Sequence, residues 1–119
     1  MIKQIISSEV EAHIKDKPQS ILLDVRTEEE WNVDGRPDGE KFGLKTYFLT
    51  IKDKNFINDF KKLGINKDQE ILTMCMGGVR SQAAAEILIG EDYKCTNVSD
   101  GFLGNSANPG WKNSGLPCK

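Results

Sequence analysis

In the stretch ILTMCMGGVRSQAAAEIL (71–88), an apolar run delivers Cys75 into a turn containing Gly77 and Gly78; Arg80 follows and an alanine-rich segment begins at once. A thiol at the mouth of a helix lies where the first N–H groups have no intrahelical partner and the helix end carries roughly half a positive charge. Both effects favour a thiolate, and cysteines so placed reach pKa values of roughly 3.5–7.5 instead of ~8.5. Gly77 and Gly78 permit a tight turn that aims successive N–H groups inward as an anion-binding nest. Arg80 adds a fixed cation with a planar set of donors. The pattern predicts a cradle for an anionic sulfur, or for an anion bound to it, with Cys75 as the nucleophile. A cysteine serving only as a small buried hydrophobe at a strand end requires none of these neighbours.

Spacing separates two chemistries. A phosphatase or arsenate reductase cradle has the form C-x5-R, with the arginine on the oxyanion. Here C-M-G-G-V-R is C-x4-R, and the position one further on is Ser81, which has no guanidinium. The shorter ring encloses less volume and suits a single additional sulfur atom better than a tetrahedral phosphate.

The elements that must position this turn alternate along the chain. KQII (3–6) is a β-branched run, and Ser7 or Ser8 is expected to cap a helix in SEVEAHIK, with Val10 and Ile14 on one face. SILLDVR (20–26) reads as a strand covered on both faces. TEEEWNV (27–33) opens with Thr27 and Glu30 at capping-box spacing. DGRPDGEKFG (34–43) is turn chemistry, and TYFLTI (46–51) is a strand by its β-branched and aromatic content. KNFINDFKKLGI (54–65) sets Phe56, Ile57, Phe60 and Leu63 at helical spacing, with Gly64 as the stop. EILTMC (70–75) is a strand, SQAAAEILIG (81–90) a helix ended by Gly90, YKCTNVSDG (93–101) a last strand, and NPGWKNSGLPCK (108–119) is loop-like. Five strands alternating with four helices predict an α/β fold, an open parallel sheet of about five strands with helices on both faces. Sites in such sheets lie at the carboxyl ends of strands, where Cys75 falls.

Residues 1–119 read as one domain. Apolar content of 38%, charged content of 29% and a net charge of −2 describe an ordinary globular chain. Lys and Arg do not cluster, so no nucleic-acid footprint is expected, and no apolar run approaches the ~20 residues of a membrane span. MIKQIISSEVEAHIK is too polar for a secretory signal and too acidic for a transit peptide. Three cysteines without a C-x-x-C pair fit neither a disulfide framework nor a zinc ribbon, so a reducing, cytoplasmic location is the economical expectation.

Four stretches together resemble the single-domain rhodaneses of the sulfurtransferase family: LLDVRTEEEW (22–31), CMGGVR (75–80), VSDGFLG (98–104), and the terminal Gly110, Trp111 and GLP (115–117). The resemblance implies a rhodanese-like fold and a persulfide mechanism. Cys75 attacks a donor, either thiosulfate, a mercapto-acid or another protein's persulfide, and keeps the outer sulfur as R–S–S⁻. A thiol or cyanide then removes it in a ping-pong cycle. The N–H groups of Met76, Gly77, Gly78, Val79 and Arg80 are implied to hold the terminal sulfur. No metal and no organic cofactor is implied.

Two departures from the family pattern stand out. Where the family commonly carries G-H-I-P-G-A, this chain has GRPDGE (35–40), one residue short and carrying Arg36. The second loop residue is Met76 instead of a basic residue, which leaves Arg80 as the loop's only cation. A neutral or protein-borne persulfide is then at least as good a donor as thiosulfate.

Asp24, Arg26 and Glu30 are expected to form an ion-pair network at a strand–helix junction; a functional alternative puts Arg26 or Arg36 at the pocket mouth. Asp100 is expected to accept a loop hydrogen bond, Trp31 and Trp111 to pack, Met74 to face the core and Met76 to line the mouth. His13 lies too far away in topology to serve as a base. Cys95 is expected to be buried. Cys118 is expected to be mobile, with a possible role in resolving an oxidised Cys75. Besides a sulfurtransferase, the sequence admits a catalytically quiet binding or regulatory module of the same family and, less well, a phosphatase or arsenate reductase.

Overall fold

The structure, a computed structural model describing residues 2–119, is a five-stranded parallel sheet of order β1-β5-β4-β2-β3. The strands are β1 (Lys3–Ile5), β2 (Ile21–Asp24), β3 (Lys45–Phe48), β4 (Glu70–Met74) and β5 (Lys94–Val98). The helices are α1 (Val10–Asp16), α2 (Glu28–Asp34), α3 (Phe56–Lys62), α4 (Val79–Gly90) and α5 (Gly110–Asn113). The expected open parallel α/β architecture is what forms.

Alternation along the strands divides the core in two. Ile21, Leu23, Val25, Ile71 and Cys75 face Phe56 and Phe60 of α3 and Ala84, Ala85 and Leu88 of α4. Leu22, Leu72, Met74 and Val98 face Val10 of α1, Trp111 of α5 and Phe102 on the opposite side. The central strands β2 and β4 are therefore apolar in nearly every position, as the unbroken run in the sequence requires. Met74 enters one core and Cys75, one pleat further, the other.

From β2 the chain moves outward to β3, returns across β2 to β4 and continues away to β5. The connections leaving β2 and β4 diverge, which opens a crevice above their carboxyl ends. Met74 is opposite Asp24 in the register, and the Val25 N–H donates to the Met74 carbonyl at 2.8 Å. The DVR and CMGGVR segments are thereby brought side by side.

Several expectations need correction. Ser7 does not cap α1: it sits in a 3-10 turn (Ser7–Glu9), and its buried N–H and hydroxyl both donate to Asp100 Oδ1, at 2.8 and 2.9 Å. Strand β3 stops at Phe48, because its partner β2 ends at Asp24; Leu49 and Ile51 then donate irregularly to the Asp24 and Val25 carbonyls. Leu63 is the half-exposed C-cap of α3 and does not belong to its buried stripe. Helix α4 ends at Gly90 as expected, and the left-handed residue of the turn that follows is Asp92 (φ 71°), with the Tyr93 N–H on the Leu88 carbonyl.

The tail is also better ordered than its composition suggests. It contains α5, and Cys118 forms an antiparallel bridge with Pro37. Arg36 and Lys119 exchange both backbone hydrogen bonds at 2.8 Å, and the Asp38 N–H donates to Pro117. The GRPDGE turn is thus the partner of the tail, which fixes Cys118 at the surface.

Asp100 ties both flanks together: Oδ1 accepts from Ser7, and Oδ2 accepts from the Gly110 N–H at 2.9 Å. Replacing Asp100 with Ala leaves the buried Ser7 and Gly110 N–H groups without an acceptor, while the Ser7 hydroxyl keeps the Gly101 carbonyl at 3.3 Å. The expected loss is about 4 kcal/mol of unfolding free energy, read from the urea midpoint. A loss below about 1 kcal/mol would mean that water or neighbouring carbonyls replace the carboxylate.

Candidate active site

Cys75 is buried just past the end of β4, and Gly78, the N-cap of α4, donates its N–H to Sγ at 3.1 Å. The turn closes so tightly because Gly78 takes φ 107°, and a Cβ there would lie 2.1 Å from the Ser99 carbonyl oxygen. Gly101 (φ 62°) plays the matching part on the other side: a Cβ would lie 2.4 Å from the Met76 carbonyl oxygen. That approach lets the Phe102 and Leu103 N–H groups donate to the Cys75 and Met76 carbonyls at 2.8 and 3.1 Å. The VSDGFLG segment is therefore the clamp on the cysteine turn, and the two motifs form one unit.

Behind the sulfur lies a polar network. Ser81 Oγ is 3.3 Å from Cys75 Sγ, 3.2 Å from the Gly78 carbonyl oxygen and 2.6 Å from Asn97 Oδ1. Asn97 is held in turn by Nδ2, which donates to the Gly78 carbonyl and to Gln4 Oε1 at 3.1 and 2.8 Å. The single hydroxyl proton points to Asn97 Oδ1 at the shortest of these distances, which leaves an Oγ lone pair to accept from the Cys75 thiol. In the C-x4-R spacing Ser81 marks only the place where a phosphatase would have arginine; its position as the third residue of α4, after the Gly78 N-cap, carries the signal for this second role. Asn97 is a mid-strand residue with no local motif, and only the register of β5 against β4 brings it here.

Arg80 turns towards α2. Its Nη1 and Nη2 donate to Glu30 Oε1 and Oε2 at 2.6 and 2.8 Å, a bidentate pair. Glu30 is simultaneously the capping-box residue: Oε1 accepts the Thr27 N–H at 3.0 Å while Thr27 Oγ1 accepts the Glu30 N–H at 3.3 Å. The Arg80 hydrogen bonds, with Thr27 assisting, hold the Glu30 carboxyl down at about 2, and Glu30 raises Arg80 in return.

The expected Asp24–Arg26–Glu30 network is divided in two. Asp24 and Arg26 form a separate, fully buried pair: Arg26 Nη2 donates to Asp24 Oδ2 at 2.8 Å and to the Gly35 carbonyl at 2.9 Å, and the guanidinium lies 4.2 Å from the Phe102 ring centre. Arg26 is thus structural and does not reach the pocket mouth. Arg36 packs near Trp31 and Phe48, at 5.9 and 5.6 Å from their ring centres, with Nη2 on Asn32. Trp31 stands edge-on to Phe48 at 5.5 Å, and Trp111 is buried with Nε1 donating to the Pro117 carbonyl. Met76 is half-buried beside Cys75, and Val79 is 84% exposed at the rim of the turn.

The remaining candidates lie elsewhere. His13 is buried against Glu70 at the opening of β4, the end of that strand remote from Cys75, and burial lowers its pKa. Burial pushes the Cys95 thiol up to about 12, which makes it inert. Among the described residues no three His, Cys, Asp or Glu side chains gather as a metal site needs.

Comparison with known proteins agrees with this geometry. A family model, the rhodanese-like domain, matches residues 7–107. An uncharacterised protein of Rickettsia prowazekii is 41% identical over 101 residues, covering 82% of this chain and 81% of its own length. One from Rickettsia conorii is 34% identical over 118 residues, covering 98% and 96%. The crystal structure of Rv0390 from Mycobacterium tuberculosis superposes with a TM-score of 0.82 at 28% identity, covering 98% of this chain and 96% of that one. A Rhodopseudomonas palustris protein of unknown function, described as a possible tyrosine phosphatase, shares the fold at a TM-score of 0.64 and 19% identity, covering 99% and 85%.

Two outcomes test the geometry. Gly78→Ala combines strain with a backbone clash and is expected to cost about 3 kcal/mol or more. Gly64→Ala, also at positive φ (71°) but with open space around it, is expected to cost about 1–2 kcal/mol; equal losses in urea would remove the argument for a close approach at Gly78. For Glu30 the folded pKa is depressed, so its stabilisation is complete above 4.5 and disappears as pH falls towards about 2. Glu30→Gln should flatten this part of the acid limb in urea titrations at a series of pH values, whereas an unchanged limb would mean that the pair adds nothing to folding.

Proposed function

The chain belongs to the rhodanese-like domain family, and from that premise we propose that it is a sulfurtransferase working through a persulfide on Cys75. The observation that carries the reading is the setting of Sγ: buried at the end of the central strand, it accepts the Gly78 N–H and lies beside the Ser81 hydroxyl. The Cys75 thiolate attacks the outer sulfur of a donor, the donor's S–S bond breaks, and its electron pair leaves with the departing group. The outer sulfur remains on Cys75 as R–S–S⁻, and backbone N–H groups of the turn stabilise that charge by fixed dipoles. An acceptor thiol, or cyanide in an assay, then takes this sulfur and releases the thiolate. Small-molecule or protein-borne persulfides and thiosulfate are the donor classes; no cofactor takes part.

The phosphatase alternative has weaker support. A guanidinium committed to Glu30 is not free to bind phosphate, and the C-x5-R position is Ser81, turned inward against Sγ. The quiet-module alternative leaves the Gly78–Ser81 surroundings of a buried thiol without a purpose.

The test is the intact mass of reduced protein after exposure to thiosulfate or to 2-hydroxyethyl persulfide, beside Cys75→Ser. The expected result is a gain of one sulfur atom from at least one donor, reversed by excess thiol and absent in the variant. A wild-type protein that takes sulfur from neither donor would leave the binding-module reading in its place.

A further inference from the structure

The six-residue loop from Cys75 to Arg80 contains a single cation, and the structure shows what that cation does. Both terminal nitrogens of Arg80 are held by Glu30, at 2.6 and 2.8 Å. The neighbouring arginine, Arg26, is fully buried and paired with Asp24. The first turn of α2 adds two further acidic residues, exposed Glu28 and Glu29, on the element that carries Glu30. At the reacting sulfur, then, the donor in place is the Gly78 N–H. The loop's own cation is cancelled by Glu30, and Arg36, without a carboxylate partner among the described residues, packs by Trp31 and Phe48.

We infer that Glu30 sets the charge of the sulfur donor: by neutralising Arg80 it tunes the site to donors carrying one negative charge or none and disfavours the dianion thiosulfate. The inference rests on the sulfurtransferase reading and specifies its substrate class. Glu30 acts through Arg80 and is therefore a positioning residue.

The chemistry shows why the charge matters. With thiosulfate, Cys75–S⁻ attacks the outer sulfur of S–SO3²⁻; the S–S bond breaks, sulfite leaves as SO3²⁻ with the bonding pair, and Cys75–S–S⁻ remains. All the negative charge of a thiolate and a dianion meets in one turn. With an alkyl persulfide RS–SH, the thiolate attacks the outer sulfur, RS⁻ leaves and takes the proton, and a single negative charge is present throughout. One additional charge on the protein, acting over roughly 8 Å at an effective dielectric of about 20, separates these donors by about tenfold or more.

Four proteins test the inference: wild type, Glu30→Gln, Arg80→Gln and the double variant. Glutamine retains an oxygen for the Thr27 N–H, so the capping box survives. The readout is the ratio of kcat/KM for thiosulfate to kcat/KM for 2-hydroxyethyl persulfide. In Glu30→Gln the freed guanidinium should raise this ratio about tenfold, chiefly by lowering KM for thiosulfate. Arg80→Gln, which leaves Glu30 uncompensated, should lower it by a similar factor. The double variant, with the wild-type net charge, should return to the wild-type ratio.

A lost structural support would depress both donors together without this ordering. A ratio unmoved in Glu30→Gln, or a parallel fall for both donors, overturns the inference. Should Arg80→Gln fail to fold, Glu30→Gln against wild type still decides. If wild-type Cys75 takes sulfur from no donor, the sulfurtransferase reading itself fails; if it loads while the ratio stays fixed, only the role of Glu30 is refuted.

Discussion

The site depends on satisfying the last carbonyls of the central strand. β4 ends at Met74, and the Cys75 and Met76 carbonyls lie beyond the reach of the ladder. Buried carbonyls without partners are costly, and the Phe102 and Leu103 N–H groups are the donors that meet them. This requirement brings the turn after β5 against the turn after β4 and admits no Cβ at Gly101 or Gly78. It also places Asp100 where one carboxylate bonds the 3-10 turn after β1 and the start of α5. The environment of the thiol is thus held in place by backbone hydrogen bonding before any ligand arrives.

The electrostatics are arranged on the same principle. Two of the arginines near the carboxyl end of the sheet, Arg26 and Arg80, are each matched by a carboxylate, whereas the side chain of Arg36, beside Phe48, bonds only Asn32 among the described residues. The Asp24–Arg26 pair is fully buried, and such pairs are costly unless the remaining donors find partners. The Gly35 carbonyl takes Nη2 and the face of Phe102 covers the guanidinium, while Nη1 is buried without a hydrogen-bond partner among the described residues. The Glu30–Arg80 pair is partly exposed and joins α2 to the cysteine turn. Neither of these two arginines is free to act as an unpaired cation at Cys75, whose Sγ is met instead by the Gly78 N–H.

Much of this was legible in the sequence because it follows from local rules. The apolar runs 21–25 and 71–75 announce buried parallel strands, Thr27 with Glu30 announces a capped helix, and Cys75 with Gly77, Gly78 and Arg80 announces the turn. What escaped were contacts between residues far apart in the chain. Asn97 reaches the site through strand register, Arg80 meets Glu30 across the crevice, and the tail finds Arg36 and Asp38 only once the sheet is assembled. A local signal also misled where a second partner competed: Ser7 has the composition of a helix cap but bonds Asp100.

The bond from Ser7 to Asp100 closes a chain segment of 93 residues. For a closure of this length the entropic cost grows only as the logarithm of the number of residues, about 0.6 kcal/mol per doubling. Adding or removing a residue within the segment therefore changes the closure cost by only about 0.01 kcal/mol, well under ~1% of the logarithmic term. The GRPDGE turn lies inside that segment. Its length is free to drift as far as chain entropy is concerned, and what constrains it is the pairing of Arg36 and Asp38 with the tail. Geometry local to the turn, and not the thermodynamics of the whole ring, decides which lengths this fold accepts there.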